Sequence, residues 1–291
     1  MPIENYDAVL YPFASHRVKI SDNDIHFIDE GKGEVLLFCH PPVASSFMYR
    51  DMIRALSKQF RCVALDFPSF GLSRASDGYV QSIQSQASIV EGLLRHLELE
   101  SVYLVAQEVG GHAALSVFLE HPEWLRGVIL TDTLIFPVHQ YRKIERMLDF
   151  VNGPLFNFVN GTLNILIRGV TSFGIHGRKL TKPEVATYYK MFDSREMRRT
   201  STTMLYELVR NDHLLSRIEA AFETTFKDIP ALLIYGENDS LTKLGVSERT
   251  HDLLPNSELH YIKGEEHFPH EGSPEKMNQI IASWMQRKAA V

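Results

Sequence analysis

The stretch Ser101–Leu115, SVYLVAQEVGGHAAL, is the segment from which the fold of this chain can best be predicted. Val102 to Ala106 form a short run of apolar and β-prone residues, which is typical of a buried strand. Gln107 to Gly111 contain two adjacent glycines and predict a sharp turn, and a helix is expected from His112 to Glu120. A strand, a tight turn and a helix in this order lift one side chain above the carboxyl edge of a sheet. The side chain at that position is Glu108.

The rest of the chain predicts an α/β fold in which strands alternate with helices. Further buried strands are expected at five apolar runs, which are Val35–Cys39, Cys62–Leu65, Val128–Leu130, Ala231–Tyr235 and Leu259–Ile262. Runs that are apolar throughout are typical of parallel strands with both faces covered. Helical periodicity between these runs predicts a mostly parallel sheet with helices on both faces.

The pattern changes between about Leu134 and Phe226, where β runs are few and helical periodicity dominates. Helices are expected there at Met147–Phe158, Leu163–Val170, Thr181–Phe192 and Glu196–Val209. We therefore predict a core domain made of residues 1–133 and 227–291, and a helical cap domain, residues 134–226, inserted between two strands.

Composition and charge limit the classes of partner. Hydrophobic residues make up 44% of the chain and charged residues 23%, which is ordinary for a soluble globular protein. The net charge of −6 disfavours a nucleic-acid or membrane partner. Cys39 and Cys62 are expected to be reduced thiols in the core. We expect a cytoplasmic protein without a metal or cofactor that acts on a small molecule, and the oligomeric state is left open.

Three titratable side chains directly follow predicted strands. Glu108 follows the strand of the opening stretch, Asp239 follows the strand that ends at Tyr235, and His267 follows the strand that ends at Ile262. Because the carboxyl ends of parallel strands meet at one edge of a sheet, we expect the three side chains to lie close together. Their order along the chain, with the residue at the sharp turn first and the histidine last, is the order of an α/β-hydrolase active site.

The chain resembles the haloalkane dehalogenase and epoxide hydrolase branch of the α/β-hydrolase superfamily over nearly its whole length except the cap. Residues 40–50, HPPVASSFMYR, match a family stretch of the type HGNPTSSYLWR without gaps. Residues 66–73, DFPSFGLS, match DLPGFGxS, and residues 104–111, LVAQEVGG, match LVxQDWGG. The segments YGENDSL at 235–241 and HFPHEGSPE at 267–275 fit the acid and histidine segments of that branch.

The resemblance implies roles for the three residues. In the family, a carboxylate at the sharp turn attacks an electrophilic carbon to give an enzyme ester, and a histidine oriented by an acid activates the water that hydrolyses it. Carried over, Glu108 is the nucleophile, His267 the base and Asp239 its partner. In a dehalogenase subgroup the acid instead follows the strand after the sharp turn, where this chain has Asp132. We favour Asp239 because the 235–241 segment is the fuller match.

Three positions depart from the family pattern. The nucleophile is glutamate instead of aspartate, the tryptophan that holds a halide is replaced by Val109, and the asparagine that supplies a second donor is replaced by Pro42. Valine has no side-chain donor, and proline lacks a backbone N–H as well. The loss of one oxyanion donor typically costs about 10²–10³ in rate. Ordinary dehalogenation is therefore not expected.

Three further residues, His40, Tyr188 and Tyr189, are candidates for the pocket. His40 begins the loop that contains Pro42 and is expected to pack beneath it, on the oxyanion side of the site. Tyr188 and Tyr189 resemble the cap tyrosines that polarise an epoxide oxygen, although aromatic pairs on a helix are more often packing residues. His270 is expected to be a neighbour of the site without a catalytic role.

Three functions agree with these observations. The first is hydrolysis of a small apolar molecule through an ester on Glu108. The second is a non-hydrolytic reaction, such as a lyase, dehydration or rearrangement step, in which Glu108 and His267 act as acid and base. The third is a binding protein with an inactive site, which the presence of both Asp239 and His267 argues against.

Overall fold

The computed structural model describes residues 6–289, and eight strands in this part of the chain form one sheet. In chain order the strands are β1 (His16–Ile20), β2 (Asn23–Glu30), β3 (Val35–Cys39), β4 (Arg61–Leu65), β5 (Val102–Ala106), β6 (Leu125–Thr131), β7 (Ala231–Gly236) and β8 (Ser257–Ile262). Their order across the sheet is β1-β2-β4-β3-β5-β6-β7-β8. The first two neighbour pairs are antiparallel and the other five are parallel. The predicted α/β fold with a mostly parallel sheet is confirmed.

Thirteen α-helices accompany the sheet within the described range. They are α1 (Arg50–Leu56), α2 (Ile83–His96), α3 (Glu108–Glu120), α4 (Arg142–Asn152), α5 (Pro154–Leu163), α6 (Ile165–Phe173), α7 (Lys182–Met191), α8 (Arg195–Arg210), α9 (Asp212–Glu223), α10 (Ser240–Lys243), α11 (Val246–Leu253), α12 (Pro269–Gly272) and α13 (Pro274–Ala289). Helices α1 and α13 pack together, as do α2 and α3, and between them they cover the two faces of the sheet. Strands β3 and β5 are consequently buried along their whole length. No helix in residues 6–289 combines the length and the apolar character needed to cross a membrane.

Two predicted helices differ from the structure. Helix α3 begins at Glu108 instead of His112, because the two glycines lie inside the helix where it crosses the neighbouring backbone. A Cβ atom on Gly110 would lie 2.2 Å from the carbonyl oxygen of His40. The single helix expected over Met147–Phe158 is divided between α4 and α5, since Pro154 has no N–H and restricts the residue before it.

Helices α4 to α9 lie between β6 and β7 in the chain, within residues 134–226, which we call the helical insertion. Side chains from α4, α6 and α8 line a cavity together with residues that follow the carboxyl ends of β5, β6, β7 and β8. The helical insertion therefore covers the edge of the sheet where the candidate site lies. The division into two domains stays a prediction, and its outermost residues, 1–5 and 290–291, lie outside the described range.

Candidate active site

The backbone at Glu108 is held in a conformation that a glutamate rarely adopts. Its φ is +49°, in the left-handed region, at the point where β5 has ended and α3 begins. Such a conformation costs roughly 1–3 kcal/mol and persists only where the surroundings enforce it. The backbone N–H of Glu108 donates to Thr133 Oγ1 at 3.1 Å, which fixes the turn to the end of β6. The strained turn places the Glu108 side chain above the carboxyl edge of the sheet.

The structure brings Glu108, His267 and Asp239 together. His267 Nδ1 lies 2.6 Å from Asp239 Oδ2, and His267 Nε2 lies 2.9 Å from Glu108 Oε1. Carboxylate oxygens carry no hydrogen, so a doubly protonated imidazolium donates both bonds. Gln107 Nε2 also donates to the carbonyl oxygen of His267 at 2.6 Å, which ties the histidine loop to the turn before Glu108. We call the side chains of Glu108, His267 and Asp239 the Glu-His-Asp triplet.

Charge, rather than burial, decides the protonation of the histidine. Burial lowers the pKa of His267, but Asp239 and Glu108 outweigh it and hold that pKa well above its usual value. Burial raises the pKa of the Asp239 carboxyl, whereas His267 and the N–H of Leu241 lower it, and the net pKa lies below the usual value. In its resting state the triplet is therefore an imidazolium between two carboxylates.

Asp132, the alternative acid, lies at the site but does not bond to the histidine. Its Oδ1 accepts the backbone N–H of Gly236 at 2.9 Å, and its Oδ2 has no hydrogen-bond partner among the described residues. Burial, followed by the neighbouring charge of Asp239, raises the pKa of Asp132 well above its usual value. The structure therefore favours an uncharged Asp132 next to the triplet, with Asp239 as the hydrogen-bond partner of His267.

The cavity above the triplet has a volume of about 510 Å³. Glu108, His267, Asp132 and Asp239 line its floor, and most of its wall is apolar. The apolar side chains of the wall from the helical insertion include Ile144, Leu148, Leu166, Val170, Leu205 and Leu208. A mostly apolar pocket with a few converging polar groups is the usual form of a small-molecule site.

The residues that replace the family's donors lie beside the cavity, not in its wall. Val109 is fully buried in the core. Pro42 is buried as well, and its carbonyl oxygen accepts a hydrogen bond from Ser201 on α8. Val43 lines the cavity instead of Pro42. Neither Val109 nor Pro42 offers a side-chain donor to a leaving group.

His40 holds the loop that contains Pro42. Its Nδ1–H donates to the carbonyl oxygen of Pro41 at 2.8 Å, and its Nε2 accepts the N–H of Phe67 at 3.0 Å. Burial lowers the pKa of His40, which favours this neutral form. Both ring nitrogens are thus occupied, and His40 does not line the cavity.

Tyr188 and Tyr189 are not part of the cavity wall either. The Tyr188 hydroxyl donates to Glu271 Oε1 at 2.6 Å, and Tyr188 is buried. Tyr189 is half-buried, with the Arg168 guanidinium 5.4 Å from its ring centre. His270 is buried among aromatic side chains, and burial, His267 and Arg50 lower its pKa to about 3.

Sequence reasoning missed two residues of the site, His112 and Thr133. His112 lies one helical turn after Glu108 on α3, lines the cavity and donates from Nε2 to the carbonyl oxygen of Leu134 at 2.7 Å. His112 follows Glu108 by four residues, and this spacing places both side chains on one face of a helix. The sequence could therefore have predicted that His112 belongs to the site. Thr133 binds the N–H of Glu108, and no pattern in the sequence indicates that contact.

One group of side chains in the site has the spacing of metal ligands. Ligand atoms of Asp132, Asp239 and His267 all lie within 4.8 Å of one another. However, both ring nitrogens of His267 are already bonded to carboxylates, Nδ1 to Asp239 and Nε2 to Glu108. The arrangement fits acid–base or nucleophilic chemistry better than metal binding.

Comparison with known proteins gives a consistent family. A family model described as alpha/beta hydrolase fold matches residues 34–274. Haloalkane dehalogenase 2 of Mycobacterium tuberculosis is 28% identical over 276 residues, which cover 94% of this chain and 96% of that protein. A cis-3-alkyl-4-alkyloxetan-2-one decarboxylase of Shewanella oneidensis is 24% identical over 291 residues, covering 95% of this chain and 89% of that protein. The crystal structure of haloalkane dehalogenase DbeA from Bradyrhizobium elkani is similar in fold, with a TM-score of 0.85, 21% identity and coverage of 96% and 100%.

Proposed function

The chain belongs to the alpha/beta hydrolase fold family, and from that premise we propose that it hydrolyses a small apolar electrophile through an ester on Glu108. The observation that carries the proposal is the state of the Glu108 carboxylate. One oxygen is bonded to His267, and the other, Oε2, is buried without a hydrogen-bond partner among the described residues. A carboxylate oxygen that accepts no hydrogen bond keeps its lone pairs available to attack carbon. The strained backbone that presents it is of the kind found at active sites, ligand clamps and switch regions.

The charge balance of the triplet gives His267 its two roles. Glu108 attacks the substrate carbon, the carbon–leaving-group bond breaks, and Glu108 becomes an uncharged ester. His267 has then lost one of the two carboxylates that raise its pKa, so it releases its proton and becomes a base. It next takes a proton from water, whose oxygen attacks the ester carbonyl and restores the Glu108 carboxylate. The net reaction consumes one water and gives an alcohol and the protonated leaving group, which are parts of one molecule when the substrate is cyclic.

The side chains around the cavity favour a particular leaving group. Val109 and Pro42 supply no side-chain donor for a halide, and neither Tyr188 nor Tyr189 lines the cavity to protonate an epoxide oxygen. A carboxylate delocalises its own charge and needs fewer fixed donors than a halide or an alkoxide. We therefore propose a strained lactone, opened at its alkyl carbon, as the substrate class. The Shewanella relative, which is named for an oxetan-2-one, supports this choice.

A non-hydrolytic reaction is the second candidate, and the direct bond between His267 and Glu108 favours it. This bond keeps a proton on His267 in the resting state, where it can serve as an acid without any water. The Shewanella relative is named as a decarboxylase, which is a lyase. Such a reaction would release an alkene instead of an alcohol.

One experiment separates the two candidates. The protein is given a panel of alkyl-substituted lactones, alkyl halides and epoxides in water that carries heavy oxygen. Hydrolysis through an ester predicts heavy oxygen in the Glu108 carboxylate after one turnover and in the alcohol after several, both measured by mass spectrometry. An alkene product, or turnover with no label in Glu108, would contradict the hydrolytic proposal. The Glu108→Gln variant is the matched control and should neither turn over nor take up label.

A further inference from the structure

Exposed apolar side chains are concentrated on three consecutive helices. Nine large apolar side chains in residues 6–289 are exposed, and six of them lie on α4, α5 and α6. These six, which we call the apolar surface of the insertion, are Met147, Phe150, Leu155, Phe158, Leu163 and Phe173, with exposed fractions of 54–75%. The other three, Val9, Val80 and Tyr261, lie in separate parts of the chain. A concentration of this kind marks an interaction site more often than scattered exposed residues do.

The three helices are apolar on outward as well as inward faces. On α4, Ile144 and Leu148 are buried and line the cavity, whereas Phe150 points away from it and is exposed. On α5, Leu155 and Phe158 are three residues apart, which places them on the same side of the helix. Helices α4 and α5 contact each other, as do α5 and α6, so the exposed side chains belong to adjoining elements. Packing within the chain explains the inward faces, whereas the outward side chains stay more than half exposed, even Phe150, whose ring contacts Phe156.

The charge of the chain is unevenly distributed. The helical insertion carries thirteen Lys and Arg residues against nine Asp and Glu, a net charge of +4. The rest of the chain carries seventeen against twenty-seven, a net charge of −10. The overall charge of −6, which disfavours a membrane partner, therefore conceals a positively charged insertion. Helices α4, α5 and α6 themselves carry four Lys and Arg residues against two Asp and Glu, a net charge of +2. Lys143, Arg146 and Arg168 lie on α4 and α6, and none of them has an ion-pair partner among the described residues.

This charge decides between two kinds of partner. If a second copy of the chain docked through the same surface, two basic insertions would face each other and repel. An anionic lipid surface attracts Lys and Arg, while apolar side chains enter the boundary between headgroups and acyl chains. The charge of the helical insertion is therefore complementary to an anionic lipid surface.

The cavity opens at the same place. Met147 and Phe173 belong to the apolar surface of the insertion and also line the cavity, and Lys143 lines the cavity beside them. An apolar substrate dissolved in lipid could thus pass between α4 and the end of α6 without crossing bulk water. This link would supply the cavity with substrates that are poorly soluble.

We propose that the outward side of α4, α5 and α6 docks onto an anionic lipid surface, with the cavity mouth facing the lipid. The apolar side chains enter the interface, and the basic side chains of α4 and α6 meet the anionic headgroups. The docking does not depend on the chemistry at Glu108, and it can therefore be tested separately from the proposed function.

The test is co-sedimentation of the full chain with vesicles of phosphatidylcholine, with and without phosphatidylglycerol. The wild type should bind the vesicles that contain phosphatidylglycerol, and added salt should weaken the binding. Leu155→Ser with Phe158→Ser should lower the partition coefficient about tenfold for each residue, because each change removes apolar area from the interface. Neither side chain lines the cavity, so turnover should not change. Arg146→Gln should lower it about fivefold because it removes one charge near the surface.

Matched variants elsewhere in the chain control for general effects. Val9→Ser with Val80→Ser removes two equally exposed apolar side chains, and Lys19→Gln removes one charge at the edge strand β1. Both should bind vesicles like the wild type, and all variants should turn over a water-soluble substrate of the wild type at its rate. Lack of binding, an equal loss in the control variants, or equal binding to vesicles of phosphatidylcholine alone would overturn the proposal. So would a stable dimer without vesicles that the Leu155→Ser, Phe158→Ser variant abolishes.

Discussion

Two clusters of charged side chains lie close to the boundary between the sheet and the helical insertion, and they differ in how completely their charges are matched. In the first, the Glu-His-Asp triplet, one imidazolium faces two carboxylates. In the second, which we call the interface ion cluster, Arg50 and Arg178 face Glu184 and Glu271. The two arginines balance the two glutamates, and the neighbouring Asp51, 3.8 Å from Arg50 and 3.5 Å from Arg178, is balanced by Arg54. The triplet, in contrast, keeps an excess negative charge.

Hydrogen bonding shows the same contrast. Arg50 donates to both oxygens of Glu271, at 2.5 and 2.8 Å, and also to Glu184. Arg178 donates to Glu184 and Glu271 at 2.9 Å, and Tyr188 donates to Glu271. Every carboxylate oxygen of this cluster thus has a donor. In the triplet, Glu108 Oε2 has none among the described residues.

The difference suggests what each cluster is for. The interface ion cluster joins α1 and α12 of the core to α7 of the helical insertion, is nearly buried and lies away from the cavity wall. Its ion pairs hold the core and the helical insertion together. The triplet lines an apolar cavity and keeps one carboxylate oxygen unsatisfied, which costs stability and leaves a reactive group.

The largest expected effect comes from removing the excess charge of the triplet. Glu108→Gln would leave one cation and one anion, as in a balanced pair, and would remove the proposed nucleophile. Turnover of a substrate found in the panel should fall by about 10⁴-fold or more. Thermal unfolding should change far less than it does when the interface ion cluster is broken. A variant that retained turnover would show that the excess charge is not the reactive group.

The next effect concerns the two aspartates near His267. Asp239→Asn should lower kcat by roughly 10²–10⁴-fold, because the imidazole loses the carboxylate that orients it and stabilises its charge. Asp132→Asn is the matched control and should lower kcat less than about tenfold, since an amide oxygen can still accept the N–H of Gly236. A larger loss of kcat in Asp132→Asn than in Asp239→Asn would show that Asp132, not Asp239, is the acid that orients His267.

Breaking the interface ion cluster should affect stability. Arg50→Met leaves the carboxylates of Glu184 and Glu271 buried with one arginine, and the free energy of unfolding in urea should fall by about 3–5 kcal/mol. Arg217→Met, on α9, removes an arginine from an exposed pair with Glu120 and should cost less than about 1 kcal/mol. Equal losses in the two variants would show that the buried cluster does not hold the helical insertion to the core.

The smallest effect is a difference in pH dependence. The raised pKa of His267 contributes stability that is present below its usual pKa of 6.5 and is lost as pH rises through the folded pKa. Burial raises the pKa of Glu184, but Arg178, Thr181 and Arg50 lower it to about 2, so its contribution is present above 4.5 and is lost as pH falls toward 2. The free energy of unfolding measured against pH should therefore lose its alkaline slope in His267→Gln and its acid slope in Glu184→Gln. Unchanged slopes would contradict these shifts.

Much of the fold could be predicted because local patterns determine it. Strands β3 and β5 have the predicted bounds, since each is an apolar run covered on both faces. The predicted start of α3, at His112, was wrong because adjacent glycines usually indicate a turn. Here they let a helix pass close to the His40 carbonyl. Helix α9, Asp212–Glu223, was not predicted at all.

The candidate site, like the fold, could be predicted from the sequence only in part. Motifs placed Glu108, Asp239 and His267 at strand ends, and their meeting follows from the geometry of a parallel sheet. The choice between two acids depended on side-chain direction, which the sequence does not contain. The interface ion cluster left no signal, because Arg50 and Glu271 are 221 residues apart and neither belongs to a motif for such a pair.

The most direct test of the central claim, that Glu108 attacks carbon, is the intact mass of the His267→Ala variant after incubation with a lactone that the wild type turns over. Without the base, the ester should form and accumulate. We predict a mass increase equal to the opened substrate, located on the peptide that contains Glu108 and absent from the double variant Glu108→Gln, His267→Ala. An unchanged mass while the wild type consumes the same compound, or an adduct that survives in the double variant, would contradict the account.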